Sequence, residues 1–493
     1  MNDPAPVPDI RIRPANDAPV NPKGRFVLYW MTAFRRPCCN FSLQRAVEFA
    51  VRLQKPLIVL EALRCDYPWA SDRFHAFILQ GMNANRKAFQ TTPVFYYPFV
   101  ETRPKSGKGL LAALSHIACV VVTDDYPGFF LPRMITAAAR ISSVRMEKLD
   151  SNGIVPLRAG DRIFTTAHSF RRWMQHRIIA FLHDAPNADP LATAGSFPDA
   201  APPPNDILSQ WPPAPPVYLD AAPDFLATLP IDHTVKPVTL QGGYVAAQDI
   251  LNGFLPSLTT YHQTRQHPDM DATSHLSPYL HFGFIASHDI LNRILQQENG
   301  APDRFGKHIT GSASGFWGIG DGAEAFLDEL IVWREIGFNW TFLADGDDRY
   351  GALPQWALKT LASHAADPRP YNYSLEDFEN AATHDPLWNA AQRQLLHEGR
   401  IHNYLRMLWG KKILHWSKSP ETALSIMMEL NNRYALDGRD PNSLSGIFWV
   451  LGRYDRAWGP RRPVFGTVRY MSSRRTLKKV RVRDYLQKYA EHL

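Results

Sequence analysis

The sequence predicts an α/β domain followed by an all-α domain, and three observations carry that prediction. Between residues 25 and 150, strand-like and helix-like stretches alternate through five strands, the pattern of a doubly wound, Rossmann-like parallel sheet. From Pro186 to Pro237 the chain carries thirteen prolines, in PPP, WPP and APP clusters. Proline removes a backbone donor and fixes φ, so this stretch reads as an extended connector. From about Gln241 onward the reading is helical. The expected organisation is a disordered, proline-rich arm over 1–24, an α/β domain over 25–185, a linker over 186–240 and a helical domain over 241–493.

Within the first domain, RFVLYWM, KPLIVLEAL, PVFYYPFVE, CVVVTDD and SVRMEKLD read as buried strands. FSLQRAVEFAVRLQ, DRFHAFILQGMNANRKAF, KGLLAALSHIA and FLPRMITAAARI read as the intervening helices. No GxGxxG follows the first strand, so nothing there points to a dinucleotide site.

Composition narrows the class. With 45% apolar and 20% charged residues, the chain has the make-up of a soluble globular protein. No run of 18 apolar residues exists, and the first residues lack the apolar core of a secretory signal. Cys38, Cys39, Cys65 and Cys119 form no CxxC pair and no metal-like spacing, which fits a reducing cytoplasm and no metal site. The net charge of +7 is uneven: Arg453–Arg483 holds eleven Lys/Arg against Asp455 alone, a local +10. Such a patch is a phosphate-binding footprint.

The helical half holds nine of the thirteen tryptophans after residue 310, and the segment from His384 to Asn442 organises them. Trp409 and Trp416 are a heptad apart, so one helix places both on one side. Trp388 lies before the polar break HEGR and returns only by chain reversal. Arg406 shares the face of Trp409. Tryptophans at helical spacing ordinarily belong to a core. Here the surrounding words are more specific: HDPLWNAAQ, LRMLWGKKILHW, NNRYALDGRDPN and PVFGTVRYM occur in this order. They resemble the C-terminal flavin domain of class II cyclobutane-pyrimidine-dimer photolyases.

The resemblance extends over roughly residues 25 to 485 and implies a set of roles. FAD is the implied cofactor, with Trp409 nearest to it, Trp388 in the middle and Trp416 outermost in a chain for light-driven reduction. Asn431 would lie near the flavin, Arg406 and Asp437 would brace its ring, and Asp440 would belong to the same site. TSHLSPYLHFG, from Thr273 to Gly283, resembles the family's phosphate-binding element. By that resemblance Tyr261, Thr273, Ser274, Leu276 and Ser277 would hold the pyrophosphate. AFLDELIVWREIGFNW resembles the lesion-contacting helix, carrying Glu329 and Trp333. Trp449 and Met407 would join them on UV-damaged DNA, with Arg456, Arg461, Arg462 and Arg469 on the phosphates. The implied reaction is light-driven electron transfer from reduced FAD to a flipped-out dimer, carried out by a monomer.

Two departures qualify the resemblance. After the first strand, MTAFRRPCCN keeps Arg36 and Asn40 but has Phe34 and Cys39 where the family has acids. The identity of any second, light-harvesting antenna chromophore is therefore left open. After Trp449 the chain reads GRYD, with Tyr454 where the family has His, and the neighbouring loop lengths differ by one residue. Both changes also suit a cryptochrome-like photoreceptor, a flavin protein that signals without repair. Residues 300–322, glycine-rich and not a phosphate loop, read as a surface loop.

Overall fold

A computed structural model describes residues 6–192, 194–300, 305–306, 309–344 and 350–490. The chain divides into two compact units that do not follow simple sequence halves. The first comprises Met1–Asp161, Ile178–Leu251 and Leu276–Arg293; the second comprises Arg162–Arg177, Asn252–His275 and Ile294–Leu493. The single boundary expected near residue 241 is thus replaced by several crossings.

The first unit is built on six strands: β1 (Ile12–Pro14), β2 (Phe26–Met31), β3 (Leu57–Leu63), β4 (Phe95–Val100), β5 (Ala118–Asp124) and β6 (Met146–Leu149). Their order is β1-β6-β5-β2-β3-β4. All neighbours run parallel except β1, which pairs antiparallel with β6. Helices α1 (Phe41–Leu53), α2 (Asp72–Phe89), α3 (Leu110–Ile117) and α4 (Leu131–Ile141) connect the strands. Every residue of β2 is buried because alternate side chains enter different cores. Val27, Tyr29 and Met31 pack with α1, whereas Leu28 and Trp30 pack with α3 and α4. Two covered faces explain why the strands read as continuous apolar runs.

Two expectations need correction here. The described part of the N-terminal arm is ordered: β1 extends the sheet, and the fully buried Arg11 donates to the carbonyls of Asp150, Gly153 and Ile154. Three carbonyls converging on one guanidinium hold the segment, a long-range effect that local composition does not reveal. The proline-rich connector is likewise not a free spacer. It winds into short helices, Asn205–Gln210, Pro216–Leu219 and Pro223–Leu226, the last two opening on a proline at the tolerated first position. Ile207 and Trp211 enter the core of the first unit, and Trp211 Nε1 donates to Ser106 O at 3.1 Å. Ala214 N–H bonds Pro98 O of the edge strand β4 at 2.7 Å, so the connector covers an exposed sheet edge.

The turn after β2, where the sequence departs from the pattern it resembles, is closed by Asp124. Its carboxylate accepts the N–H groups of Thr32, Ala33 and Phe34 at 2.7–3.0 Å and the Tyr29 hydroxyl at 2.9 Å. Asn40 caps α1 by accepting from Ser42 and Leu43, and donates back to Phe34 O and Arg36 O. Phe34 therefore sits in a turn organised by backbone donors, which tolerate an apolar side chain.

In the second unit the relevant helices are α5 (Asp321–Leu327), α6 (Arg334–Leu343), α7 (Pro386–Glu398), α8 (Asn403–Trp416), α9 (Pro420–Tyr434) and α10 (Pro441–Val450). Asp385, Ser419 and Asp440 cap α7, α9 and α10, each followed by proline at the first helical position. Gly399, at φ 67°, ends α7 in the left-handed conformation that glycine adopts without strain. Helix α8 packs against α7, α9 and α10. A Cβ on Gly410 of α8 would lie 2.5 Å from Val450, so this glycine permits the close approach of α10. Among the described residues no helix is long and apolar enough to cross a membrane.

The predicted surface loop 300–322 is only partly described, 301–304 and 307–308 lying outside. Its later part is pinned by the buried Glu324, which accepts the N–H groups of Gly315, Trp317 and Gly318. Asp124 has the corresponding task in the first unit, and its removal leaves several buried donors unpaired. Asp124→Ala should lower stability by roughly 3 kcal/mol or more. Urea unfolding will register this as an earlier midpoint, and an unshifted midpoint refutes the assignment.

Candidate functional site

The three tryptophans singled out in the sequence meet inside the second unit. Trp388 and Trp409 face each other with ring centroids 6.4 Å apart and planes inclined by 5°. Trp416 meets Trp388 edge-on at 6.2 Å, so Trp388 stands between the other two. All three are at most 2% exposed. Trp388 Nε1 donates to Trp409 O at 3.0 Å, and Trp409 Nε1 donates to Gln392 Oε1 at 2.9 Å. Trp388 and Gln392 lie on α7 one turn apart, so the two bonds clamp α7 to α8.

One turn before Trp409, Arg406 makes a forked pair with Asp437, at 2.9 and 3.0 Å. The same guanidinium reaches Asn431 Oδ1 and Ser443 Oγ, and Asn431 Nδ2 donates to Ser443 Oγ at 2.9 Å. Residues from α8, α9, the turn after it and α10 thus form one polar cluster. Asp440 serves this cluster from outside, as the cap that accepts Asn442 N–H at 2.8 Å and starts α10.

A cavity of about 220 Å³ is lined by Tyr261, Arg265, Thr273, Glu329, Met407 and Lys479, among others. Glu329 belongs to the stretch Asp328–Trp333, which winds as a π-helix: Arg334 N–H bonds Glu329 O, five residues back. Such wide turns re-aim side chains and recur at functional sites. Asp328 and its neighbour diverge as adjacent helical residues should, Asp328 pairing with Arg171 and Glu329 with Arg265. Burial holds the Glu329 carboxyl above its usual range, opposed by the Arg265 charge. Arg265 also lies over the Tyr261 ring.

Arg265 was not singled out in the sequence, although its place one helical turn after Tyr261 is a readable signal. Lys479 and Ser443 carried no such signal, since both arrive from distant segments. Trp333 is half-buried and is not among the residues lining the cavity. Thr273 lines it, and Ser274 follows in the same non-helical segment. Ser277 opens the five-residue helix Ser277–His281, capped by Leu276 without a side-chain bond. Leu276 and Ser277 are grouped with the first unit.

On the basic segment, Arg469 pairs with Asp455 through two bonds of 2.7 and 3.0 Å and lies 4.1 Å from the Trp458 ring. Arg456 also covers Trp458, at 4.4 Å, while Arg461 and Arg462 are exposed. Trp449 is half-buried, with Lys411 Nζ 4.8 Å from its ring. Burial pushes the Lys411 ammonium down to about 7, and its proton is held by Val450 O at 2.6 Å. Tyr454, in place of the expected histidine, is buried at φ 63° with its hydroxyl directed to Ile336 O. The substitution thus lies in packing and does not present a new group on the surface.

A comparison with profiles of known protein families returns no match. Individual proteins do match. The deoxyribodipyrimidine photo-lyase of Methanothermobacter thermautotrophicus is 34% identical over 480 residues, covering 97% of either chain. That of Potorous tridactylus is 30% identical over 96% of this chain and 83% of its own. Among solved structures, a class III photolyase from Agrobacterium tumefaciens superposes with a TM-score of 0.66 at 16% identity, over 95% of this chain and 86% of that one. A cryptochrome from Synechocystis gives 0.65 at 14% identity, over 94% and 88%. The structural likenesses establish the fold, and the sequence relationship over nearly the whole length establishes that the chain belongs to the deoxyribodipyrimidine photo-lyase family.

Proposed function

We propose that this protein is a light-dependent DNA repair enzyme of class II type, which binds FAD and splits cyclobutane pyrimidine dimers. The observation that carries the reading is the file of three buried, contacting indoles that starts one helical turn from the Arg406–Asp437–Asn431 cluster.

The residues fit FAD by their chemistry. Asn431, Asp437 and Arg406 offer amide, carboxylate and guanidinium groups to a flat, polar ring. Arg265 and Lys479, with the hydroxyls of Tyr261 and Thr273, suit a pyrophosphate, and Ser274 adjoins them. The cavity of about 220 Å³ takes one end of a dinucleotide, being below the roughly 300–1,000 Å³ of common ligand pockets. When bound, FAD would supply the light-absorbing electron donor.

The protein's own groups have separable tasks. Trp409, Trp388 and Trp416 relay an electron inward, each regaining it from the next. Their burial removes the water that would otherwise reorganise around each charge. Glu329, with its carboxyl favouring the protonated form more than a free one, hydrogen-bonds a carbonyl of the flipped-out dimer. Met407 and Trp449 supply apolar contact, while the exposed arginines hold phosphates.

Two outcomes test this reading. Arg406→Leu breaks the fork to Asp437 and leaves that carboxylate without its cation, a loss of about 1.5–3 kcal/mol for a charge-assisted bond. Purified variant protein should carry substoichiometric flavin by absorption spectroscopy, and full flavin content would refute the placement. On the DNA side, Arg456→Ala, Arg461→Ala and Arg462→Ala should weaken damaged and intact duplexes by similar factors. Each lost phosphate contact should flatten the log–log salt slope by about 0.9. Glu329→Gln should weaken dimer-containing DNA selectively. Titrations at two salt concentrations separate these cases, and equal wild-type affinity for the two duplexes would favour a photoreceptor.

A further inference from the structure

Lys411 is a charged side chain placed where charge is costly. It lies on α8 with no exposed surface. Among the described residues its one hydrogen-bond acceptor is Val450 O, at 2.6 Å. Val450 is the last residue of α10, so this carbonyl has no partner within its own helix and belongs to the negative end of the helix dipole. The other group that meets the charge is the Trp449 ring, 4.8 Å from Nζ. A cation within about 6 Å of an indole centroid is attracted to its face, more strongly where water is excluded.

This contact is the inner end of a series. Arg469 lies 5.6 Å from the Trp449 ring and 4.1 Å from that of Trp458, and Arg456 lies 4.4 Å from Trp458. Cations and indoles therefore alternate from the buried Lys411, through the half-buried Trp449, to the exposed Arg456. Asp455 braces the outer part. It pairs with Arg469 and accepts the Trp458 indole N–H at 3.1 Å and the Arg456 N–H at 2.9 Å. Trp449 depends for its hold from within on Lys411.

Among the described residues two charged groups act on the ammonium, both from the segment after α10: Asp455 favours the charge and Arg469 opposes it. Lys412, next on α8, turns instead to Asp385 and the Trp416 ring. At Trp409 and Gly410, helices α7, α9 and α10 meet α8 through Trp388, Met427 and Val450, none of which titrates. Burial outweighs the two charges and brings the ammonium down to about 7, so its charge is gained and lost around neutral pH. Losing the proton removes the attraction to the indole and weakens the hold on the end of α10.

We propose that Lys411 is a positioning residue for lesion recognition: in its charged form it fixes the Trp449 ring from within, in the orientation that meets a flipped-out dimer. This rests on the repair reading above and deepens it. Because the dimer closes on a fixed ring, its binding favours the protonated lysine, which holds its proton more tightly in the complex. The preference for dimer-containing over intact DNA is then fully present below the free protein's value and falls as pH rises through it. Binding of intact duplex rests on the outer arginines and does not draw on this proton.

Titrations of flavin-loaded protein in darkness, with matched duplexes that carry or lack a cyclobutane pyrimidine dimer, test this between about pH 6 and about pH 9 at fixed salt. In the wild type the ratio of the two affinities should be level below about pH 7 and fall above it, by at most about tenfold per pH unit for one proton. Lys411→Met, of similar length without the charge, should lower the ratio at the acid end by about two- to thirtyfold, the span of a cation against an aromatic face, and flatten the profile. Lys411→Arg, charged throughout, should keep the ratio level across the range. Trp449→Leu, at a half-buried site, should flatten the profile with the lysine still in place, and decides the matter if the core variants fail to load flavin. A level wild-type profile, a wild-type profile in Lys411→Met, or an unchanged fall in Trp449→Leu overturns this inference alone. Equal wild-type affinity for the two duplexes at every pH overturns the repair reading, and this inference with it.

Discussion

The hydrogen bond from the Trp388 indole to the Trp409 carbonyl is the constraint on which the second unit depends. Both groups are buried, and an unpaired donor there would cost about 1–3 kcal/mol. Meeting that demand fixes α7 against α8 at one register and brings the two rings to a near-parallel contact worth about 0.5–1.5 kcal/mol beyond burial. The same register sets where α8 presents Arg406. From there the fork to Asp437 and the bond to Asn431 tie in the turn after α9 and the start of α10. Packing and chemistry are thus imposed by one contact.

Charge in this unit is mostly spoken for. Arg406, Arg265, Arg171 and Arg469 each hold a carboxylate, on Asp437, Glu329, Asp328 and Asp455. These pairs are partly or largely enclosed, so they fix geometry more than they add stability. The +10 counted over Arg453–Arg483 already subtracts Asp455, the carboxylate that holds Arg469, so this pair takes nothing further from the field available to a polyanion. Arg456, Arg461 and Arg462 carry the outward charge near Trp458.

Periodicity made the central sheet legible. The strands and helices read from residues 25–150 match β2–β6 and α1–α4 nearly end to end, because two covered faces force continuous apolar strands and one-sided helices. The heptad put Trp409 and Trp416 on one side of a helix, whereas the place of Trp388 between them came from the family resemblance and not from spacing. What failed depends on distant partners. Proline content suggested an extended connector, yet Trp211 and Ile207 bury themselves in the first unit. Three carbonyls around Arg11 order an arm that composition marks as loose. Lys479 at the cavity and Glu324 under its loop bring together segments that sequence alone does not connect. The π-helical turn at Glu329 was also invisible, since ELIVW carries an ordinary helical pattern.

The central claim is that this family member repairs dimers with light. The most direct test incubates chemically reduced, flavin-loaded protein with DNA containing cyclobutane pyrimidine dimers, and measures intact pyrimidines after illumination and in darkness. The account predicts restoration in light only. Full illumination of flavin-loaded protein without restoration, alongside normal flavin photoreduction, would contradict it.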